Sequence, residues 1–189
     1  MSATLHVREA TQADWPQALE LIASVFVGEG FVSRERNDRG CRREVLESGG
    51  TVLTAVDDAK PARVLGVVVL AHKGGPLNLL ARDAEAEFRM LAVDPKGRGR
   101  GIGERLVRAC IERGSRPPLS ARAIVLWTQP TMHAAQRLYE RMGFIRVPNR
   151  DAVMPPGSEG AAGLITRERW AYRLEIGDPA GAHATPWSP

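Results

Sequence analysis

The segment Asp94-Pro95-Lys96-Gly97-Arg98-Gly99-Arg100-Gly101-Ile102-Gly103 constrains the fold of this chain more than any other. Residues 85–93, just before it, alternate early and turn apolar late, the pattern of a strand. Pro95 has no N–H, so that strand cannot run past it as a central ladder. Beyond the segment, Ile102, Leu106, Cys110 and Ile111 fall on one side of a helix predicted over residues 101–113. Gly114 closes that helix ahead of Pro117-Pro118. A strand passed through a glycine-rich basic turn into an amphipathic helix belongs to an α/β domain with a mixed sheet.

The turn also carries the chemistry of an anion cradle. Glycines admit positive φ and leave no Cβ in the way of a ligand. Successive backbone N–H groups in such a turn converge on an anion. The following helix adds its own free N–H groups and the positive end of its dipole. Arg98 and Arg100 supply charge-assisted hydrogen bonds. Taken alone, such a loop also suits a solvated connection. Two other phosphate motifs do not match. A Walker loop needs Lys and then Ser or Thr at the helix start, and here Gly103 is followed by Glu104. The dinucleotide fingerprint needs two residues before its third glycine, and here Ile102 stands alone between Gly101 and Gly103.

The rest of the chain alternates strands and helices. Residues 4–8 read as a strand. Asp14 reads as an N-cap before a helical stripe of Trp15, Leu19, Leu21, Ile22, Val25 and Phe26, stopped by Gly28 and Gly30. Ser33 caps a second, more polar helix ending near Gly49-Gly50. Residues 51–56 and 64–70 form a hairpin, the second strand apolar enough to be buried on both faces. A strand over 121–128, a helix over 131–142 closed by Gly143, and a strand begun by 144–147 follow. Residues 149–163 are rich in Gly and Pro and read as a mobile loop, and 169–176 form the last strand. Residues 177–189 have little to bury and read as a disordered tail. Residues 1–176 make one domain, since 189 residues suffice for one and are cramped for two.

Composition narrows the function. At 43% hydrophobic the chain buries a core, yet no apolar run reaches the roughly 18–20 residues of a membrane span. No apolar signal region opens the sequence, so a soluble, cytoplasmic protein is expected and a membrane partner is not. Cys41 and Cys110 read as reduced thiols, and no metal-ligand spacing surrounds them or the histidines. The net charge is +4, but basic and acidic residues interleave except from Lys96 to Arg100. That pattern favours a small phosphate ligand over nucleic acid.

Arg98, Gly101 and Gly103 match the coenzyme loop of the GNAT N-acetyltransferase superfamily, which runs Arg or Gln, two residues, Gly, one residue, Gly or Ala. Arg89-Met90-Leu91-Ala92-Val93-Asp94-Pro95 resembles the strand that precedes it in that family. Ala135-Gln136-Arg137-Leu138-Tyr139-Glu140-Arg141-Met142-Gly143-Phe144 is similar to the family's helix ending in Leu-Tyr, three residues, Gly-Phe. The resemblance covers residues 4–176. It implies a single central mixed sheet flanked by helices on both faces. It also implies acetyl-CoA as co-substrate, no metal, and transfer to a primary amine of a small molecule or of a protein N-terminus or lysine.

Residue roles follow from the same resemblance. Backbone groups of Leu91, Ala92 and Val93 would pair with the pantetheine arm. Amides of Arg98, Gly99, Arg100, Gly101, Ile102 and Gly103 would take the pyrophosphate. Tyr139 would lie near the sulfur, where a phenol of pKa about 10 can act as general acid to a nascent thiolate or stabilise it by hydrogen bonding. Glu87 would be the base, with Glu85 on the same face as the alternative. Relatives often carry Asn seven residues before the tyrosine, and this chain has Met132 there. Asp14, Trp15, Glu29 and Phe31 fall where the family builds its acceptor pocket, and ordinary core and loop roles suit them as well. His133 reads as a surface or capping residue. A homodimer is left open. A non-catalytic acyl-CoA sensor is the alternative function, and an RNA-directed enzyme a third, for which the sequence has no continuous basic track.

Overall fold

The computed structural model describes residues 5–57, 62–153 and 168–177. Strand β1 (Leu5–Glu9) leads into helices α1 (Trp15–Phe26), α2 (Arg34–Gly40) and α3 (Arg43–Gly49). Strands β2 (Gly50–Asp57), β3 (Arg63–Ala71) and β4 (Glu85–Val93) follow, then helix α4 (Ile102–Ser115), β5 (Ala123–Thr128) and α5 (His133–Arg141). Two short strands, β6 (Ile145–Arg146) and β7 (Ala152–Val153), precede β8 (Glu168–Glu175).

The strands form one eight-stranded sheet in the order β1-β2-β3-β4-β5-β8-β6, with β7 also on β8. Every pairing is antiparallel except β4 with β5. The expected mixed sheet with helices on both faces is what forms. All of β3 except Arg63 is buried, as its apolar run predicts. Successive β3 side chains feed opposite cores. Val68 and Leu70 pack with Ile102, Leu106 and Cys110 of α4. Val67, Val69 and Ala71 pack with Trp15, Ile22 and Val25 of α1 and Leu46 of α3. Gly66 lets α4 approach closely: a Cβ there would stand 2.8 Å from both Ile102 and Leu106 side-chain carbons.

Several local expectations shift. The single polar helix after Ser33 is two helices, α2 and α3, broken around Cys41 and Arg42. Ser33 does cap α2, its hydroxyl accepting from Arg36 N at 3.2 Å. Asp14 stands at the N-cap of α1, but its carboxylate makes no cap hydrogen bond. It accepts instead from Thr11 N at 2.6 Å, from the Thr11 hydroxyl and from Arg8, tying α1 to β1. Within the expected loop after Asn149, Ala152 and Val153 pair with β8, a strand too short for periodicity to reveal. The remainder of that loop and residues 178–189 of the expected tail lie outside the described residues.

Candidate active site

Strands β4 and β5 run parallel for only three residue pairs, Glu85 with Ala123 through Glu87 with Val125. Beyond Glu87 the two strands part. The cause is in β4: Met90 has φ +55, and the register with β3 jumps from Val69–Arg89 to Val67–Ala92. Two residues, Met90 and Leu91, oppose Val68 alone. Such a bulge bends its strand and sharpens the local twist. Among the described residues, Leu91, Ala92 and Val93 are thereby left with no strand on their β5-facing side, a free ladder edge in the interior of a sheet.

The loop after β4 has the form its sequence predicts. Asp94 accepts from Lys96 N at 2.9 Å and starts a short turn over Pro95–Gly97. Gly99 and Gly101 take φ +78 and +72, and a Cβ on either would meet nothing within 4 Å. Gly101 stands at the N-cap of α4 in the left-handed region. The first helical N–H with an acceptor is that of Arg105, to Gly101 O at 3.0 Å. The N–H groups from Gly99 to Glu104 therefore remain available, beside the positive end of a fourteen-residue helix. This arrangement suits a pyrophosphate: open space, free amides, no Cβ and the cation of Arg100. Arg98 contributes less directly, since its guanidinium pairs with Glu29 in the loop after α1.

A cavity of about 460 Å³ fills the fork between β4 and β5 and extends towards α2 and α5. Tyr139 of α5 lines it. Gly143, at φ +89, turns the chain after α5 so that Phe144 N reaches Tyr139 O at 3.0 Å. Phe144 then packs on the tyrosine ring at 5.8 Å, and Phe88 packs edge-on at the same distance. This explains the Tyr-x-x-x-Gly-Phe spacing: glycine makes the return, and phenylalanine fixes the ring. Tyr139 is 5% exposed, and its hydroxyl has no partner among the described residues. Burial pushes its pKa above the ordinary value, so the phenol holds its proton throughout the physiological range.

The two acidic candidates are both heavily engaged. Glu87 lines the cavity and is 1% exposed. Its Oε2 accepts from Leu79 N at 2.8 Å, Leu80 N at 2.7 Å and Ala81 N at 3.3 Å, and its Oε1 from Arg89 at 2.9 Å. Glu85 does not line the cavity. Its carboxylate joins Arg150, at 2.8 and 2.9 Å, to Arg173 at 2.8 Å. Burial alone would raise its pKa, but the bonds from Arg150, Arg82 N and Arg173 outweigh burial and hold it near 2. It is a structural clamp, and the alternation that put it beside Glu87 did not bring it to the site.

Of the other candidates, Trp15 is a core residue stacked under Arg43, and Asp14 is the α1–β1 tie already described. Phe31 O accepts from Gln129 Nε2 at 2.7 Å, which pins the α1–α2 loop to the end of β5. Met132 lines the cavity and caps α5, its sulfur accepting from Thr128 at 3.5 Å. His133 is exposed at the start of α5. Cys110 is buried, and Cys41, on the cavity wall, has its thiol pushed up to about 11 by burial. Among the described residues no group of His, Cys, Asp and Glu is placed to hold a metal, and no helix is long and apolar enough to cross a membrane. The sequence reading missed Arg36, Asn37 and Arg169, which reach the cavity from α2 and β8. No spacing in the chain links them.

The model of the Acetyltransferase (GNAT) family matches residues 11–144. A curated relative, the N-acetylaspartate synthetase of Danio rerio, is 39% identical over 97 residues. That match takes in 50% of this chain and 34% of the relative, so this chain spans about a third of the relative's length. Among solved structures, a GNAT-family acetyltransferase of Staphylococcus aureus Mu50 superposes with a TM-score of 0.65 at 19% identity, covering 92% of this chain and 99% of that one. A Salmonella typhimurium protein solved with its cofactor acetyl-CoA superposes at 0.62 and 18% identity, covering 99% and 100%. The ribosomal-protein-S18-alanine N-acetyltransferase of Escherichia coli superposes at 0.61 and 14%, covering 98% and 100%. At these identities the structural likenesses speak for the fold alone. The chain belongs to the GNAT acetyltransferase family.

Proposed function

We propose that this protein is an acetyl-CoA-dependent N-acetyltransferase acting on a small primary amine, with Tyr139 as the general acid. The observation that carries the reading is the fork. A free strand edge at Leu91, Ala92 and Val93 runs from the glycine loop towards a cavity lined by the buried Tyr139, whose hydroxyl has no partner among the described residues. The Salmonella neighbour's acetyl-CoA and the relative's name, which describes an acetylated amino acid, support both halves of the reaction.

In this reading acetyl-CoA, when bound, supplies an acetyl group activated as a thioester. Leu91, Ala92 and Val93 offer backbone groups to the pantetheine as a neighbouring strand would. Amides of Arg98, Gly99, Arg100, Gly101, Ile102 and Gly103, with the Arg100 cation, hold the pyrophosphate. An N–H near Leu91 stabilises the carbonyl oxygen as charge develops on it. Tyr139 Oη gives its proton to the departing sulfur and regains one from water, which takes up the proton that the amine loses.

Glu87 takes a different part from the one the resemblance implies. An acceptor of three amides and a guanidinium has little lone-pair capacity left for an amine. In this reading it orients Arg89 and holds the chain at residues 79–81 over the site, while the amine sheds its proton to water. A peptide α-amine of pKa near 8 is roughly one-tenth neutral at pH 7, and a more basic small amine is neutral in a proportionally smaller fraction, which sets its rate of attack.

The test is release of free thiol from acetyl-CoA across a panel of small amines, with wild type, Tyr139→Phe and Gly101→Glu. Turnover that Tyr139→Phe slows and Gly101→Glu abolishes, through lost coenzyme binding, is the expected result. Coenzyme binding with no turnover on any amine would favour an acyl-CoA sensor, and no coenzyme binding at all would refute the reading.

A further inference from the structure

We propose that the acceptor end of this cavity is a carboxylate-binding subsite, built by Arg36, Arg89 and Arg169, that selects a primary amine bearing acidic groups. The inference rests on the acetyltransferase reading for its chemistry and on the charge and donor arrangement for its specificity. Three guanidiniums arrive from separate elements, α2, β4 and β8, and line the same wall. Arg36 and Arg89 both act on Arg169. Arg169, 9% exposed, has its pKa pushed down to about 10, first by burial and then by Arg36 and Arg89. Arg36 is pushed down by burial, then by Arg89 and Arg39.

Among the described lining residues the only carboxylate is Glu87, and it is already shared between Arg89 and three amides. Arg36 has no acceptor for its guanidinium among the described residues, and the Arg89 Nε is buried without one. Arg169 is already engaged, its Nη1 donating to Glu168 O at 2.8 Å. The charge left for a ligand is therefore that of Arg36 and Arg89, which repel each other in a half-buried wall until a bound anion relieves the repulsion. The guanidinium fork matches a carboxylate bidentately. The pyrophosphate loop contributes no residue to this wall, so these arginines are not part of the coenzyme's own cradle.

The same wall carries the complementary acceptors. Asn37 is 7% exposed and its Oδ1 has no partner, and Gln129 is 2% exposed with its Oε1 likewise unpartnered. The Gln129 orientation is fixed by its Nε2 donating to Phe31 O at 2.7 Å. A ligand with an amine and carboxylates answers both sets: its N–H groups meet amide oxygens while its carboxylates meet guanidiniums. An acidic amino acid has this pattern, and so does a peptide beginning with an acidic residue.

The experiment compares kcat/KM at saturating acetyl-CoA for aspartate, glutamate, alanine, alaninamide and a tripeptide with N-terminal Asp, in wild type, Arg36→Gln, Arg36→Lys and Arg169→Gln. Wild type is expected to prefer the acidic acceptors over alaninamide. Each Gln variant should cut that preference about ten- to a hundredfold, the effect of losing one charge-assisted bond, mainly through KM. Arg36→Lys should recover part of it. Aspartate above the tripeptide identifies a free amino acid as the source of the carboxylates, and the reverse order identifies a peptide. In parallel, succinate, which has the carboxylates but no amine, is titrated calorimetrically into each protein. Succinate binding weakened in the Gln variants supports the subsite even if no amine turns over, in which case the acetyltransferase reading fails alone. Equal turnover of acidic and neutral amines with no succinate binding overturns the subsite and leaves the enzyme reading standing.

Discussion

Glu87→Gln separates a structural carboxylate from a catalytic one. The substitution keeps shape but not charge. One amide oxygen can still accept from Leu79 and Leu80, yet the new NH2 group then faces Arg89 Nη1, donor against donor, across the 2.9 Å that Oε1 now spans. Removing one partner of a buried ion pair costs about 3–5 kcal/mol. Because the Arg89 side chain is 21% exposed, water recovers part of that, and about 3 kcal/mol is the fitting end of the range. Exchanging two charge-assisted N–H bonds for neutral ones adds about 1 kcal/mol. For a chain of this size the sum corresponds to a fall in Tm of about 8–16 °C. Thermal unfolding followed by circular dichroism measures it, with the Glu87→Gln/Arg89→Gln double variant as control. That double variant removes the stranded charge and should lose less than the two single losses added together. The pH dependence of kcat/KM is recorded on the same proteins. In the structural account the ascending limb follows the acceptor amine's own ionisation and survives in Glu87→Gln. A Tm unchanged within about 2 °C, with the ascending limb abolished and the rate down about a hundredfold, would refute this reasoning and make Glu87 the base.

Other expectations follow from single contacts. Tyr139→Phe should lower kcat about 10²–10⁴-fold while changing stability by less than about 0.5 kcal/mol, because the hydroxyl has no partner to lose; paired kinetics and denaturant titration check both halves. Since burial raises the Tyr139 pKa, wild type should show no descending limb in its pH–rate profile up to about pH 10, the ordinary phenol value. Glu85, depressed to about 2 in the folded state, contributes stability that is complete above its unfolded value of about 4.3 and lost as pH falls towards 2. Urea midpoints should therefore drop over that interval in wild type and drop less in Glu85→Gln. Gly101→Ala should cost about 1–2 kcal/mol in stability, the penalty of a Cβ at φ +72 with no clash, and should weaken coenzyme binding in calorimetry.

Much of this molecule is legible in its residue order. Hydrophobic periodicity located β3, α1 and α4, because burial on two faces or one leaves a direct imprint on residue order. The glycine loop was legible because φ +72 at Gly101 and free helix amides are local backbone properties that only certain residues permit. Tyr139 was legible through the Gly143-Phe144 return that holds its ring, a contact between near neighbours in sequence.

What the tertiary structure decided is where distant groups meet. Alternation along β4 places Glu85 and Glu87 on one face. Only the fold assigns Arg150 and Arg173 to the first, and three loop amides with Arg89 to the second. The gathering of Arg36, Arg89 and Arg169 on one wall left no trace in residue spacing, since α2, β4 and β8 meet only through the sheet order and the bulge at Met90. Sequence by itself fixes what each residue does to its own few neighbours. The balance of charge and hydrogen bonds in a cavity is a sum over elements that only packing brings together.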